Sequence, residues 1–178
     1  MDDQNSDQST LSGIENLTGS NLADTLTGNS ADNILIGGSG ADTLTGNGGS
    51  DTLIGGSGND VLNGGSGSDT LTGDTGADIF FFASALGASN VDTITDYSVS
   101  ADTIRLENAV FTGLAVGTLS AAAFRIGAAA ADASDRIIYN SATGDLFYDS
   151  DGNGAAAAVL FAHLSTGLAM TNAEFVIV

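Results

Sequence analysis

The sequence predicts an all-β fold in which a parallel β-roll is followed by a second β-rich region. Three observations lead to this prediction. A nine-residue pattern recurs seven times without a gap between Gly19 and Phe81. Each unit joins a segment rich in Gly, Ser, Asn and Asp, which form turns, to a short run of β-forming residues. Beyond the last unit, seven further segments have the composition of strands.

The repeated unit follows the pattern G-G-x-G-x-D-x-U-x, in which U is a large apolar residue. In order, the units read GSNLADTLT, GNSADNILI, GGSGADTLT, GNGGSDTLI, GGSGNDVLN, GGSGSDTLT and GDTGADIFF. Positions one to six accept sharp backbone turns, and positions seven to nine suit a three-residue strand whose middle side chain faces inward. We expect a buried ladder of Leu26, Leu35, Leu44, Leu53, Leu62, Leu71 and Phe80. The outward side chains include Thr25, Thr27, Thr43, Thr45, Thr70 and Thr72.

The residues at position six of the units are predicted to form two rows. Two units make one coil, so unit n lies beside unit n+2. One row contains Asp24, Asp42, Asp60 and Asp78, and the other contains Asn33, Asp51 and Asp69. Carboxylates about 4.8 Å apart repel each other, and a divalent cation between them reverses this. Calcium accepts carboxylate and carbonyl oxygens in flexible geometry. We call the space between two neighbouring residues of a row a gap, and one ion in each gap gives about five ions.

The predicted calcium ligands combine the position-six side chains with nearby turn residues. They are Asp24, Asp32, Asn33, Gly37, Ser39, Gly40, Asp42, Gly46, Gly48, Gly49, Asp51, Gly55, Ser57, Gly58, Asp60, Gly64, Ser66, Gly67, Asp69, Gly73, Gly76, Asp78, Asp96 and Asp102. Asn33 should weaken its gap, and Asp32 is a candidate to replace the lost carboxylate. Asp92, Asp96 and Asp102 follow the last unit and are candidates to complete the last site on an edge. A flexible linker would explain the glycine content but not the phase of the acids.

Charge and composition exclude several classes of function. The chain has 22 acidic residues against three arginines, and its formal net charge is −19. This balance argues against binding to nucleic acid or to an anionic membrane surface, both of which require basic patches. About five calcium ions would offset roughly ten of these charges. The absence of cysteine excludes disulfides and a thiol nucleophile. No apolar run has transmembrane length, and the first residues do not resemble a secretory signal peptide.

The remaining chain divides into two flanking regions. Residues 1–18 are predicted to be a linker (1–10) and a degenerate repeat that caps the roll (11–18), with Leu17 facing inward and Glu15 at the acidic position. Residues 19–81 form the roll, and residues 82–178 form a β-rich C-terminal domain against which Ile79–Phe82 should dock. Strands are predicted within 91–97, 102–106, 123–127, 136–140, 145–149, 158–164 and 174–178. The fourth and fifth of these flank a Gly-containing turn and predict a hairpin. Alanine-rich segments at 115–123 and 128–133 predict short helical turns.

The repeats resemble the RTX calcium-binding nonapeptide, and residues 82–178 resemble the C-terminal part of serralysin-type RTX exoproteins. The second resemblance is carried by D-x-I-x-D-Y, A-D-x-I-x-L, I-I-Y-N-x-x-T-G-x-L-x-Y-D-x-D-G and F-A-H-L. Residues Glu174 to Val178 resemble the terminal signature of that family, one acid followed by hydrophobic residues. This resemblance implies recognition by a type I secretion apparatus and a secreted, extracellular protein. The H-E-x-x-H motif of serralysins is absent from the chain, and no enzyme is predicted.

Two further candidate sites lie in the C-terminal region. In YDSDGNG, Asp149, Asp151 and Asn153 alternate as in the first half of an EF-hand loop, but the twelfth position is Leu160 instead of Glu. A polar hairpin loop and an additional calcium site therefore both remain open. His163 is the single histidine, and we interpret it as a hydrogen-bonded structural residue. A zinc site needs three or four ligands, and no serine nucleophile is placed beside it.

The combined prediction is a monomeric calcium-binding module that is disordered without metal and folds on extracellular calcium. One alternative is a carbohydrate-binding accessory module, resembling the R-modules of alginate epimerases, that holds anionic polysaccharide through calcium. A second is a surface adhesin or ice-binding β-roll that uses the outward threonines. A hydrolase would need a general acid and base in a cleft, whereas the acids here are better explained as calcium ligands.

Overall fold

The computed structural model describes residues 8–10, for the backbone alone, and 16–178. The expectations for 1–7 and 11–15, including that for Glu15, lie outside these ranges. The strands are β1 (Gln8–Thr10), β2 (Asn16–Thr18), β3 (Thr25–Thr27), β4 (Ile34–Ser39), β5 (Thr43–Gly48), β6 (Thr52–Ser57), β7 (Val61–Ser66), β8 (Thr70–Thr75), β9 (Ile79–Phe82), β10 (Asp92–Ile94), β11 (Thr103–Leu106), β12 (Gly117–Thr118), β13 (Phe124–Ile126), β14 (Ile137–Asn140), β15 (Asp145–Tyr148), β16 (Val159–His163) and β17 (Phe175–Ile177). The predicted all-β class is confirmed.

Successive repeats alternate between two parallel sheets, as the coil of two units predicts. One sheet has the order β1-β3-β5-β7-β9-β11-β17-β12, and the other has the order β13-β14-β15-β16-β10-β8-β6-β4-β2. Leu26 pairs with Leu44, and Leu35 pairs with Leu53. Each residue therefore pairs with the equivalent residue two units along the chain, which confirms the parallel β-roll.

The strands of the central repeats are longer than the three residues predicted. Strands β4 to β8 each have six residues. The first turn positions also pair with the neighbouring turn, for example Gly38 with Gly56 and Ser39 with Ser57. Each strand therefore continues past its position-one glycine, and adjacent turns are held in register by their own backbone.

The leucine ladder forms the core of the roll and continues into the C-terminal region. All six leucines and Phe80 are completely buried, and the same hydrophobic cluster extends through Ile94, Ile104 and Phe161. Phe82 packs edge-on against Phe161, with ring centroids 5.2 Å apart. The apolar run of β9 therefore packs against the C-terminal region as predicted.

The two sheets do not end with the last repeat. β10 pairs with β8, and β11 pairs with β9, both in parallel. Further along, β16 lies beside β10 and β17 beside β11. The change at residue 82 is therefore a change in the turn sequence, while the strands continue the same two sheets.

The C-terminal elements follow most of the sequence predictions. Each of the seven predicted strand segments contains a strand, and β14 and β15 form the predicted antiparallel hairpin. A 3₁₀ turn forms at Ala121–Ala123, but 128–133 contains no helix.

The linker prediction is wrong at β1, which pairs with β3; its polar sequence gave no apolar signal for a strand. No helix among the described residues is long and apolar enough to cross a membrane.

Candidate calcium sites

The acidic side chains form two continuous rows, one at each edge of the roll. The backbone N–H of Asp42 donates to Oδ1 of Asp60 at 2.8 Å, and that of Asp60 donates to Oδ1 of Asp78 at 2.9 Å. In the second row, the N–H of Asp51 donates to Oδ1 of Asp69 at 2.8 Å. Every position-six residue of the seven units is at most 2% exposed. The predicted rows are therefore present, and one oxygen of each linked carboxylate accepts the backbone N–H of the residue that precedes it in the row, two units earlier in the chain.

The glycines of the repeat are required by these rows. Positions two and four have positive φ in the five units from Gly37 onwards, where Asn47 and Asp74 replace glycine at position two. Asn and Asp tolerate this left-handed conformation better than other side chains. At position one, a Cβ atom on Gly37 would collide with Oδ2 of Asp42 and would lie 2.5 Å from the carbonyl oxygen of Gly55. The missing side chain makes room for the carboxylate between successive turns.

Four carboxylate oxygens in the rows have no hydrogen-bond partner. They are Oδ2 of Asp42, Asp51, Asp60 and Asp69, and all are buried. The ion pairs found among the described residues, Arg125 with Asp135 and His163 with Asp145, lie outside the roll. A buried anion without a donor or counter-ion is strongly unfavourable. These oxygens therefore fit a hard cation, and calcium prefers such oxygen ligands.

The ligand chemistry also distinguishes calcium from zinc. No group of three or more His, Cys, Asp or Glu side chains comes together within the described residues. Each gap therefore supplies at most two carboxylates, and backbone carbonyls or water must complete the coordination. Calcium accepts such a mixed oxygen shell, whereas zinc sites take three or four side-chain ligands, chiefly His nitrogen and Cys sulfur.

Burial makes the metal-free carboxylates difficult to ionise. Burial is the largest cause that raises the pKa of Asp51 and Asp78 to about 6, and the charges of neighbouring acids add to it. Burial also raises the pKa of Asp92 to about 8, with a contribution from the charge of Asp69. A proton or a bound cation can therefore relieve the repulsion within a row.

Acid should partly replace calcium in stabilising the metal-free fold. A carboxyl whose folded pKa exceeds its unfolded value binds more protons in the folded state, so the free energy of unfolding rises as pH falls from about 8 to about 4. In EDTA, we expect the β-sheet circular dichroism signal to increase between pH 7.5 and pH 5. In saturating calcium, the same acidification should produce no gain. A loss of β-structure on acidification in EDTA would contradict this prediction.

The ends of the rows have a different turn. Oδ2 of Asp24 accepts hydrogen bonds from the N–H and the hydroxyl of Ser20, and Oδ1 of Asn33 accepts one from the N–H of Asn29. Oδ2 of Asp102 likewise accepts the N–H of Ser98 at 2.8 Å. These turns lack glycine at positions two and four, so their side-chain oxygens are satisfied within the turn.

Two predicted ligands lie away from the buried oxygens. Asp32 is exposed, and its Oδ1 accepts the N–H of Ser50 at 2.7 Å. Asp96 is also exposed, and its two carboxylate oxygens accept the N–H groups of Gly73 and Asp74. Both side chains stabilise neighbouring turns, and the structure does not bring either of them into a buried row.

Asn90 is a site residue that the sequence reasoning missed. Its Oδ1 accepts the N–H of Gly67 at 2.9 Å, and Asp92 Oδ1 accepts the N–H of Asp69 at 3.1 Å. The spacing Asn90-x-Asp92-x-Ile94 equals that of positions four, six and eight of the repeat. This spacing was the available signal, but the missing glycines hid it.

The other candidate residues form no metal centre in the described part of the chain. Asp149 is buried and its Oδ1 accepts the N–H of Asp151, whose own side chain is exposed. The structure therefore does not bring the alternating acids of this loop together. His163 Nδ1 lies 2.7 Å from Oδ1 of Asp145 on the adjacent strand. This hydrogen bond agrees with the predicted structural role of the histidine.

Fold and site together define the class of a calcium-binding parallel β-roll. Residues 10–44, 18–53 and 45–80 match the family model of the RTX calcium-binding nonapeptide repeat (4 copies). The repeats within residues 10–80 are thus similar to RTX calcium-binding repeats, and RTX repeats bind Ca²⁺. No curated protein matches the chain.

Two solved structures are similar to this chain, and both are subunits of the Azotobacter vinelandii mannuronan C5-epimerase. The AlgE6R3 subunit is 24% identical, with a TM-score of 0.36, over 88% of this chain and 78% of that one. The AlgE6R2 subunit is 22% identical, with a TM-score of 0.40, over 93% of this chain and 94% of that one.

An Asn33→Asp substitution should strengthen calcium binding at the weak gap. Asn33 is buried beside Asp51, and its Nδ2 has no hydrogen-bond partner. A carboxylate there would supply the missing charge, so we expect the calcium midpoint of folding to fall by several-fold. Asn59→Asp is the matched control, because Asn59 is exposed and its Oδ1 accepts the N–H of Ala77. Equal midpoints for both variants, measured by circular dichroism, would disprove a special role for position 33.

Proposed function

We propose that this chain is a calcium-dependent folding module of an exported protein. Residues 19–81 act as the calcium-binding unit, and residues 82–178 cover its end and carry the export signal. The observation that carries the proposal is the set of four buried carboxylate oxygens without a partner. Such oxygens are unfavourable in the folded protein until a cation binds them.

We propose that the repeats bind about five calcium ions in total and that the affinity for calcium differs from gap to gap along the rows. The collisions found at Gly37 and Gly46 indicate that each Oδ2 faces the gap to the following unit. Three gaps in the repeats then contain an unpartnered oxygen, namely those that begin at Asp42, Asp51 and Asp60. These gaps should bind calcium most strongly. The gaps that begin at Asp24 and Asn33 should bind more weakly, since their oxygens already accept hydrogen bonds.

Calcium would drive folding because it binds the folded rows and not the unfolded chain. The stabilisation then grows as RT ln(1 + [L]/Kd) for each site. Extracellular calcium modules typically have a Kd of about 10⁻⁴ to 10⁻³ M. The formal net charge of −19 further opposes folding in the absence of metal. A chain of this kind would stay unfolded at cytosolic calcium levels and fold after export.

A calcium titration tests the folding proposal. Circular dichroism in EDTA should show a largely disordered chain, and millimolar calcium should produce a cooperative rise in β-sheet signal. Magnesium at the same concentration is the control for ionic strength and charge, since it demands a rigid octahedral shell. A β-sheet signal that is the same in EDTA and in calcium would refute calcium-driven folding.

The C-terminal residues support export before folding. Strand β17 lies between β11 and β12, and its residues Phe175 and Ile177 are buried. If Glu174 to Val178 are the signal for a type I secretion apparatus, that apparatus must read them in the unfolded chain. Co-expression with such an exporter should release the full chain into the medium and retain a chain that ends at Asn172. Equal export of both would show that the signal lies elsewhere.

A further inference from the structure

One cavity of the C-terminal region is lined by a positive charge and by no negative one. Its volume is about 380 Å³, and its charged lining residue is Arg136. Hydroxyl groups of Thr118, Ser120 and Ser134 also line it. The chain has 22 acidic residues against three arginines, so a cavity lined by an arginine and by no acid runs against its composition. Cavities of this size bind small molecules in other proteins.

Arg136 differs from the other two arginines in having no charged or aromatic partner. Arg125 Nε lies 3.9 Å from Oδ2 of Asp135. Arg105 lies over the ring of Phe81, with its Cζ 5.7 Å from the ring centroid. Arg136 forms no ion pair with any residue that the structure describes. Its side chain is half-buried, so the charge is partly withdrawn from water without a carboxylate to balance it.

The guanidinium of Arg136 is held through one of its nitrogens, which leaves an edge free. Nη1 donates to the carbonyl oxygens of Ala133 at 2.8 Å and of Asp135 at 3.0 Å. The backbone is fixed as well, because its N–H donates to the carbonyl of Ala123. Nε and Nη2 have no acceptor within the described part of the chain. Their N–H groups form the edge of the planar guanidinium that matches the two oxygens of a carboxylate.

The acids nearest to Arg136 in the chain are engaged within their own loop. Oδ2 of Asp135 accepts the N–H groups of Ala131 at 2.7 Å and of Asp132 at 3.2 Å. Oδ1 of Asp132 accepts the N–H and the hydroxyl of Ser134. Neither carboxylate lines the cavity. The free edge of Arg136 therefore remains available to an anion from outside the chain.

The rest of the cavity wall combines apolar side chains with free hydroxyls. Leu114 is 5% exposed and Leu119 is 3% exposed, and both line the cavity. The hydroxyl of Ser120 makes no capping bond with the 3₁₀ turn that follows it. A single guanidinium balances the one charge of a carboxylate, whereas a phosphate monoester carries a charge of about −1.5 to −2. The wall therefore suits a ligand with one carboxylate and an apolar body.

We propose that this cavity binds a small organic carboxylate. The Nε–Nη2 edge of Arg136 holds the carboxylate, and the hydroxyls of Ser120 and Thr118 donate further hydrogen bonds. Leu114 and Leu119 contact the apolar body of the ligand. The site lies in the C-terminal region, outside the rows of the roll, so the ligand binds through Arg136 and not through calcium.

Calorimetry on the full chain in saturating calcium tests this site with benzoate as the probe. Benzamide has nearly the same shape without the charge and is the neutral control. We expect one benzoate per chain, bound at least about tenfold more tightly than benzamide. Arg136→Gln removes the charged edge and should weaken benzoate binding by about tenfold or more. Arg105→Gln is the matched control, because it removes the same charge from a side chain that lies over Phe81; it should bind benzoate like the wild type.

Ala115 offers a second pair of variants that leaves the hydrogen bonds of Arg136 intact. Ala115 is exposed and lines the cavity. Ala115→Asp places a carboxylate there that repels the probe and competes for Arg136, so we expect benzoate binding to weaken by about tenfold. Ala115→Asn has nearly the same size without the charge and should bind benzoate much like the wild type.

Three results would overturn the inference. They are a wild type that binds no benzoate at millimolar concentration, equal affinities for benzamide and benzoate, and equal benzoate binding by Arg136→Gln and Arg105→Gln. If Arg136→Gln does not fold, the Ala115 pair decides, and equal binding by Ala115→Asp and Ala115→Asn would then overturn the proposal. These outcomes are independent of calcium-driven folding, because the titration needs only the folded chain.

Discussion

The Gly58→Ala variant is expected to remain largely unfolded at calcium concentrations that fold the wild type. Gly58 has φ +135°, and an added Cβ would overlap the carbonyl oxygen of Gly40 and lie 2.5 Å from its carbonyl carbon. The obstacle is backbone, so no side chain can move aside. Positive φ costs a residue with a Cβ about 1–2 kcal/mol, and overpacking adds about 1–3 kcal/mol. The calcium midpoint and the urea midpoint of unfolding measure the loss.

Gly87→Ala provides the matched control for this prediction. Gly87 lies in the segment just after the repeats, and a Cβ there would meet no atom within 4 Å. We therefore expect its calcium and urea midpoints to stay close to those of the wild type. If Gly58→Ala folds as readily as Gly87→Ala, the close stacking of adjacent turns is not needed for folding.

The Asp60→Asn variant is expected to raise the calcium concentration needed for folding by about tenfold or more. Asp60 is completely buried in the middle of its row, between Asp42 and Asp78. Its charge therefore contributes to two neighbouring gaps, and ligand charge sets the affinity of calcium sites. Asn keeps the acceptor for the N–H of Asp42, so the change isolates the charge. A calcium titration followed by circular dichroism measures the shift.

Asp60→Ala should be more severe, because it also leaves the buried N–H of Asp42 without an acceptor, at a cost of about 1–3 kcal/mol. The Asp74→Asn control removes the same charge from an exposed turn position and should shift the midpoint little. If Asp74→Asn and Asp60→Asn shift the midpoint equally, the effect is one of net charge and the row is not a set of specific ligands.

The sequence was sufficient to predict the regular part of the site. The nine-residue period places every position-six acid on the same edge as the acid two units later, because equal units give equal displacements. The two rows, the inward leucines and the pairing of unit n with unit n+2 follow from this alone. The structure confirms each of them.

The sequence was not sufficient to predict where the rows end. Asp32 stands next to Asn33 in the chain, but its side chain is exposed and accepts the N–H of Ser50 in the neighbouring turn. Asp92 and Asn90 lack the flanking glycines, and only the pairing of β10 with β8 places them in the row. Their position depends on contacts between distant segments, which a local pattern does not encode.

The sequence by itself determined the repeat, the metal class and the two-sheet coil, because each depends on a short-range period that repeats without change. Only the tertiary structure decided which carboxylate oxygens stay unpartnered. That property depends on whether the turn before each acid offers its own N–H, as at Ser20, or presents positive-φ glycines, as at Gly56 and Gly58. Whether an oxygen has a hydrogen-bond partner depends on how the turns pack against each other. The ability of each gap to bind calcium could therefore be inferred only from the tertiary structure.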